Sequence, residues 1–181
     1  MKINNRKELK EILNMNISDS EKINLIANLK NHKTHAMRMI EVDEILDLEI
    51  GQVWDNQGSA TSWSDMEKKG AAFNAETTRE VRYLLEVDEV EGYEVQYLGY
   101  DNIFDELYYE QDLEEDEADE IAYNLSNDEV YKAVMDLLGS DGDMDSEREI
   151  LVPAETKMKI IEISDAREDE GYIYVKLEIV K

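Results

Sequence analysis

The sequence predicts an α+β domain, because helical stripes come early and alternating strands come late. The clearest strands are Met158–Ile163 and Tyr172–Ile179, whose alternation suggests an antiparallel hairpin with one wet face. At 181 residues the chain has room for one sizeable core and not comfortably for two.

In chain order, residues from about 6 to 31 read as two short helices. Leu9, Ile12 and Leu13 form the first stripe. Ser18-Asp19-Ser20-Glu21 is a capping box opening the second, with Ile23, Ile26 and Ala27 inward beside Leu29. Residues 1–35 are thus expected to brace the sheet carried by 36–181. Short extended pieces follow at Met37–Ile40 and Gln52–Trp54, with a turn at Gly51. The hydroxyl-rich run Gln57–Ser64 is expected to open a helix through the box Ser64-Asp65-Met66-Glu67, its inner face Trp63, Met66, Gly70 and Phe73. Strands are predicted over 80–87 and 93–98, joined by a turn around Gly92.

From Asp105 to Glu120, 10 of 16 positions are Asp or Glu, the pattern of a solvated helix face or a mobile insertion, and an acidic insertion is assigned to about 101–145. Ser126-Asn127-Asp128-Glu129 is a further capping box, opening a helix with Val130, Ala133, Val134, Leu137 and Leu138 on one face and Gly139 as its stop.

Lys+Arg 19 against Asp+Glu 45 gives a net charge of −26, which repels polyanions over long range. Direct binding to nucleic acid or to an anionic membrane is excluded on this ground. A basic protein partner, such as one that itself binds nucleic acid, is favoured on encounter. A competing reading makes the charge itself the function, with surface carboxylates imitating a phosphate backbone.

There are no cysteines, hence no disulfide and no thiolate zinc site. His32 and His35 are not spaced for one helix face and read as surface residues. Asp141, Asp143 and Asp145 alternate like a calcium loop, but Ser146 and Val152 stand where that loop needs Gly and Glu, so no metal is predicted. The start of the chain lacks a signal-peptide core and no 18-residue apolar run exists, so a soluble, cytoplasmic protein is expected. No P-loop, dinucleotide fingerprint or nucleophile elbow is present.

The stretch richest in chemistry is Ser146-Glu147-Arg148-Glu149-Ile150-Leu151-Val152-Pro153. In extended chain Glu147 and Glu149 share one face at the mouth of a strand. Such a pair can hold a sugar hydroxyl, stabilise an oxocarbenium-like centre and address a nucleophile, or be a solvated acidic pair at a strand start.

Three pieces then stand in order: Arg38 in an early strand, the Ser/Thr cluster from Gly58 to Ser64, and Glu147-x-Glu149 entering a late strand. The order resembles the Arg–Ser–Glu class of mono-ADP-ribosyltransferases, which includes bacterial toxins, vertebrate ecto-enzymes and phage-encoded enzymes. Supporting stretches are Gly51-Gln52-Val53-Trp54 before Gly58-Ser59-Ala60-Thr61-Ser62, then Ala71-Ala72-Phe73, and Glu149 to Ile160 as a strand, Pro, turn and Thr-Lys segment. The resemblance covers roughly 36–181.

The resemblance implies a mixed or antiparallel two-sheet core and NAD as co-substrate. Arg38 would take the NAD phosphates, a task for a guanidinium fork. Thr61 and Ser62 would hydrogen-bond the nicotinamide ribose and orient the glutamate. Glu149 would grip the ribose 2′-hydroxyl and stabilise positive charge as nicotinamide leaves. Glu147 would position or deprotonate the acceptor, and Glu there, rather than Gln, implies arginine as acceptor. The chain departs from the family's Ser-Thr-Ser at Ala60-Thr61-Ser62, with Ser59 supplying a hydroxyl one step earlier. The expected function is transfer of ADP-ribose to arginine on a basic host protein by a phage or bacterial effector acting in the host cytoplasm. The alternative is an acidic, nucleic-acid-mimicking inhibitor of the anti-defence type, without catalysis.

Overall fold

A computed structural model describes residues 5–54, 56, 58–67, 81–138 and 149–181. Its spine is β4 (Val81–Glu94), a strand of 14 residues. The other strands are β1 (His32–Val42), β2 (Val53–Trp54), β3 (Thr61–Asp65), β5 (Glu149–Val152), β6 (Met158–Asp165) and β7 (Ile173–Ile179). They run β1-β3-β5-β4-β7-β6-β2, and a further β1–β4 pairing closes the first four into a ring. β4 lies antiparallel to β1 from Val81 to Gly92, parallel to β7 from Tyr83 to Val87, and antiparallel to β5 at Tyr93 and Glu94. The core therefore has two leaves that share β4: the ring, and the leaf β4-β7-β6-β2.

Gly92 is not the predicted turn, since β4 runs straight through it. A Cβ there would lie 2.2 Å from the Leu151 carbonyl oxygen, so the missing side chain lets β4 press directly against β5. Gly92→Ala should lower stability by roughly 3 kcal/mol, at the upper end for overpacking, because backbone cannot yield as a side chain can. Thermal unfolding of the variant checks this, and an unchanged midpoint would show that the strands tolerate being spread.

β3 corrects the helix start predicted at the Ser64-Asp65-Met66-Glu67 box, because Trp63, Ser64 and Asp65 belong to a strand. Thr61, Trp63 and Asp65 are buried while Ser62 and Ser64 are half-buried, a period of two that a β-branched and an aromatic residue favour in a strand. Met66 and Glu67 form a turn, and the remainder of that predicted helix, with Gly70 and Phe73, lies outside the described residues. The end hairpin forms as read, β6 antiparallel to β7.

One core cluster joins Trp63, Tyr83, Leu85, Ile150, Val152, Ile160 and Val175 across both leaves. A second packs α1 (Arg6–Leu13) and α2 (Asp19–Ala27) with α5 (Glu129–Leu138) onto Tyr93, Val95, Leu98 and Leu151. Ser18 caps α2 through the predicted box, its hydroxyl accepting from the Glu21 N–H while its own N–H donates to the Glu21 carboxylate at 2.9 Å. The acidic stretch forms α3 (Tyr100–Asp105), a π-helical turn (Glu106–Glu110) and α4 (Glu115–Leu125), held by Ile103, Leu107, Ala118 and Ala122. Three acidic residues in the first turn of α4 complement its dipole.

At α5 the capping group is Asp128, which accepts from the Tyr131 N–H at 2.8 Å, rather than Ser126. Arg6 reaches from α1 to pair with Asp128 at 2.5 Å and donates to the Leu125 carbonyl at 2.5 Å. Partial burial opposes ionisation of Asp128, but the Arg6 hydrogen bond and charge and the backbone donors outweigh it, holding its pKa below the ordinary value. A depressed carboxyl pKa contributes stability above the unfolded value, which is lost as pH falls through the folded one. The stability gap between the wild type and Arg6→Met should therefore be full at neutral pH and shrink below about pH 4. Thermal unfolding across pH 2.5–7 measures it, and a pH-independent gap would assign Arg6 to packing alone.

Candidate active site

β3 lies between β1 and β5, pairing Ser64 with Glu149 and Ser62 with Leu151 on one side, and Ser64 with Met37 on the other. Residues directly opposite in antiparallel strands share a face. Glu149, Ser64 and Met37 thus form one row, and Ser62, two residues before Ser64, belongs to the same face. Glu149 is the first residue of β5 and half-buried, so its carboxylate stands where the strand opens rather than within the core. The Ser62 hydroxyl oxygen is buried and has no hydrogen-bond partner among the described residues. A buried hydroxyl in that state is poised to bond an incoming polar group.

Thr61 points the other way. It is buried, and its Oγ1 accepts from the Trp63 indole N–H at 2.9 Å, so its hydroxyl serves the core. Ser59 is exposed, beside Gly58 with its φ of +69°, and its N–H donates to the Asn56 carbonyl at 3.3 Å. Ser64 was missed by sequence reasoning that took this stretch as a helix start. The available signal was the pair of serines two apart around an inward tryptophan, Ser62-Trp63-Ser64.

Arg38 is one residue beyond Met37 on β1, paired with Leu85 of β4. Alternation places it on the face of Ala36 and Ile40, opposite the serine–glutamate row. Burial pulls the guanidinium pKa below its usual value, and among the described residues no carboxylate pairs with it. In a chain of net charge −26, a desolvated arginine left in that condition is suited to an external anion. Glu147 lies outside the described residues. The fold thus brings Ser62, Ser64 and Glu149 together on one face, and it places Arg38 on the neighbouring strand β1 and Thr61 on β3 both facing the other way.

A carboxylate with two hydroxyls along one strand edge can bind a vicinal diol and stabilise a developing cation, and a desolvated guanidinium can hold phosphate. Among the described residues no helix is long and apolar enough to cross a membrane.

No protein-family model and no curated protein matches the sequence. Solved structures do. The chain is similar to the Vis toxin, an ADP-ribosyltransferase from Vibrio splendidus, at 17% identity over 97% of this chain and 67% of that one, with a TM-score of 0.43. It is similar to the ADP-ribosyltransferase HopU1 of Pseudomonas syringae pv. tomato at 14% identity over 99% of this chain and 64% of that one, TM-score 0.44. It is also similar to the type III effector XopAI from Xanthomonas axonopodis pv. citri at 9% identity over 83% of this chain and 45% of that one, TM-score 0.37.

Proposed function

We propose that this protein is an NAD-dependent mono-ADP-ribosyltransferase that modifies arginine on a basic protein, as a bacterial or phage effector would. The observation that carries the reading is Glu149 opening β5 directly opposite Ser64, on the face of the buried, partnerless Ser62 hydroxyl. NAD is the co-substrate. Residues of this chain suit two of its parts: Ser62 and Glu149 its ribose hydroxyls and, from the other face of β1, the desolvated Arg38 an anionic group. The glycosidic bond to nicotinamide breaks with its electron pair leaving on nicotinamide, and the Glu149 carboxylate stabilises the positive charge left on the ribose. A guanidinium nitrogen of the acceptor then bonds the ribose and loses a proton, the step assigned to Glu147. The net charge of −26 favours encounter with a basic acceptor protein.

The test is nicotinamide release from NAD by purified protein, with and without a basic cell extract, beside Glu149→Ala. Release that needs Glu149, rises with extract and leaves labelled ADP-ribose on a protein band supports the reading.

One observation favours the inhibitor reading: the acidic helices have their own apolar core and present Glu114 to Glu117, Asp119 and Glu120 as exposed carboxylates. In that case Glu149→Ala keeps the biological effect and neutralising Asp112 to Glu120 abolishes it.

A further inference from the structure

Away from the serine–glutamate row, on the other face of the same strands, His32, Asp65 and Glu94 converge. Their ligand atoms all lie within 4.8 Å of one another. His32 Nε2 is 2.9 Å from Asp65 Oδ2 and 3.5 Å from Glu94 Oε2. Asp65 and Glu94 are both fully buried, whereas the imidazole keeps 21% of its side-chain surface exposed. This overturns the reading of His32 as a surface residue, because β1 begins at His32 and draws the ring against the ring-closing strands.

The Asp65 carboxylate and the Glu94 backbone are held from behind. Asp65 Oδ1 accepts from the Thr34 hydroxyl at 2.5 Å and from the Glu67 N–H at 3.1 Å, which turns Oδ2 toward the imidazole. The backbone of Glu94 is clasped by Asn31, whose amide accepts from its N–H at 2.7 Å and donates to its carbonyl at 3.3 Å. Such supporting bonds are what orients ligands at metal centres.

We propose that His32, Asp65 and Glu94 bind a first-row divalent cation of the zinc or manganese kind. With bonds of about 2.1 Å, neighbouring ligand atoms stand roughly 3.0 Å apart in octahedral and 3.4 Å apart in tetrahedral geometry, each about 0.1 Å from one of the His32 separations of 2.9 and 3.5 Å. One imidazole and two carboxylates suit such an ion, leave a coordination position toward the exposed edge of His32, and let the cation neutralise two carboxylates that are out of water. The ion would tie β1, β3 and β4 at one point, and Asp65 directly follows Ser64. Among the described residues the other comparable cluster, His35 with Glu86 and Asp88, already holds the Lys176 ammonium, 3.5 Å from Glu86 and bonded to Asp88. The proposal does not depend on the transferase reading.

The experiment is calorimetric titration of chelator-treated full-length protein with zinc chloride and, separately, manganese chloride, with thermal unfolding alongside. One ion per chain is expected for at least one metal, with a raised unfolding midpoint. Glu94→Gln and His32→Gln should each weaken it at least tenfold, whereas His35→Gln leaves it unchanged. Because Asp65 also anchors Thr34 and the Glu67 N–H, Glu94→Gln is the deciding variant should Asp65→Asn unfold. Three results would overturn the proposal: no saturable binding of either metal, binding that survives Glu94→Gln and His32→Gln, or binding lost in His35→Gln.

Discussion

Glu149→Gln is expected to lower nicotinamide release about a thousandfold, in the range seen when one transition-state charge partner is removed. Glutamine keeps the size and one hydrogen-bond acceptor, so its loss is of charge. The position is half-buried at a strand end, opposite Ser64, so the isosteric change should leave the unfolding midpoint nearly unchanged. The two readouts together separate roles. Activity lost at constant stability places the carboxylate at the reacting sugar, whereas parallel losses would make Glu149 a brace between β3 and β5. Retained activity would remove the basis of the transferase reading.

The second large effect is at Arg38. Arg38→Lys keeps a positive charge but not the planar fork, and should raise the KM for NAD by about tenfold or more, since a bidentate phosphate contact is not reproduced by a point charge. Arg38→Met should abolish measurable turnover at micromolar NAD and yet raise the unfolding midpoint by a few degrees. The reason lies in the apo protein, where the guanidinium is desolvated without an internal carboxylate partner among the described residues, an arrangement that lowers stability. Paired measurements of KM and midpoint decide it. A fall in midpoint for Arg38→Met would mean that the side chain serves packing against Ala36 and Ile40 and not an external anion.

Features that depend only on neighbours along the chain are legible without the fold. The Ser18–Glu21 box needs only four consecutive residues, and the β6–β7 hairpin needs only alternation. The positions of Arg38 on an early strand and Glu149 at a strand opening were legible for the same reason. Other features depend on which strands lie side by side. Gly92 looks like a turn in sequence, but a β5 carbonyl presses against it, so the chain continues straight. Thr61 and Ser62 are adjacent hydroxyls in the chain, yet one-residue alternation buries the first against Trp63 and turns the second, with Ser64, toward the face of Glu149. His32, Asp65 and Glu94 are separated by about thirty residues each and share no local pattern. They meet because β1, β3 and β4 join in the closing ring, and closure is a long-range pairing that no window of sequence contains.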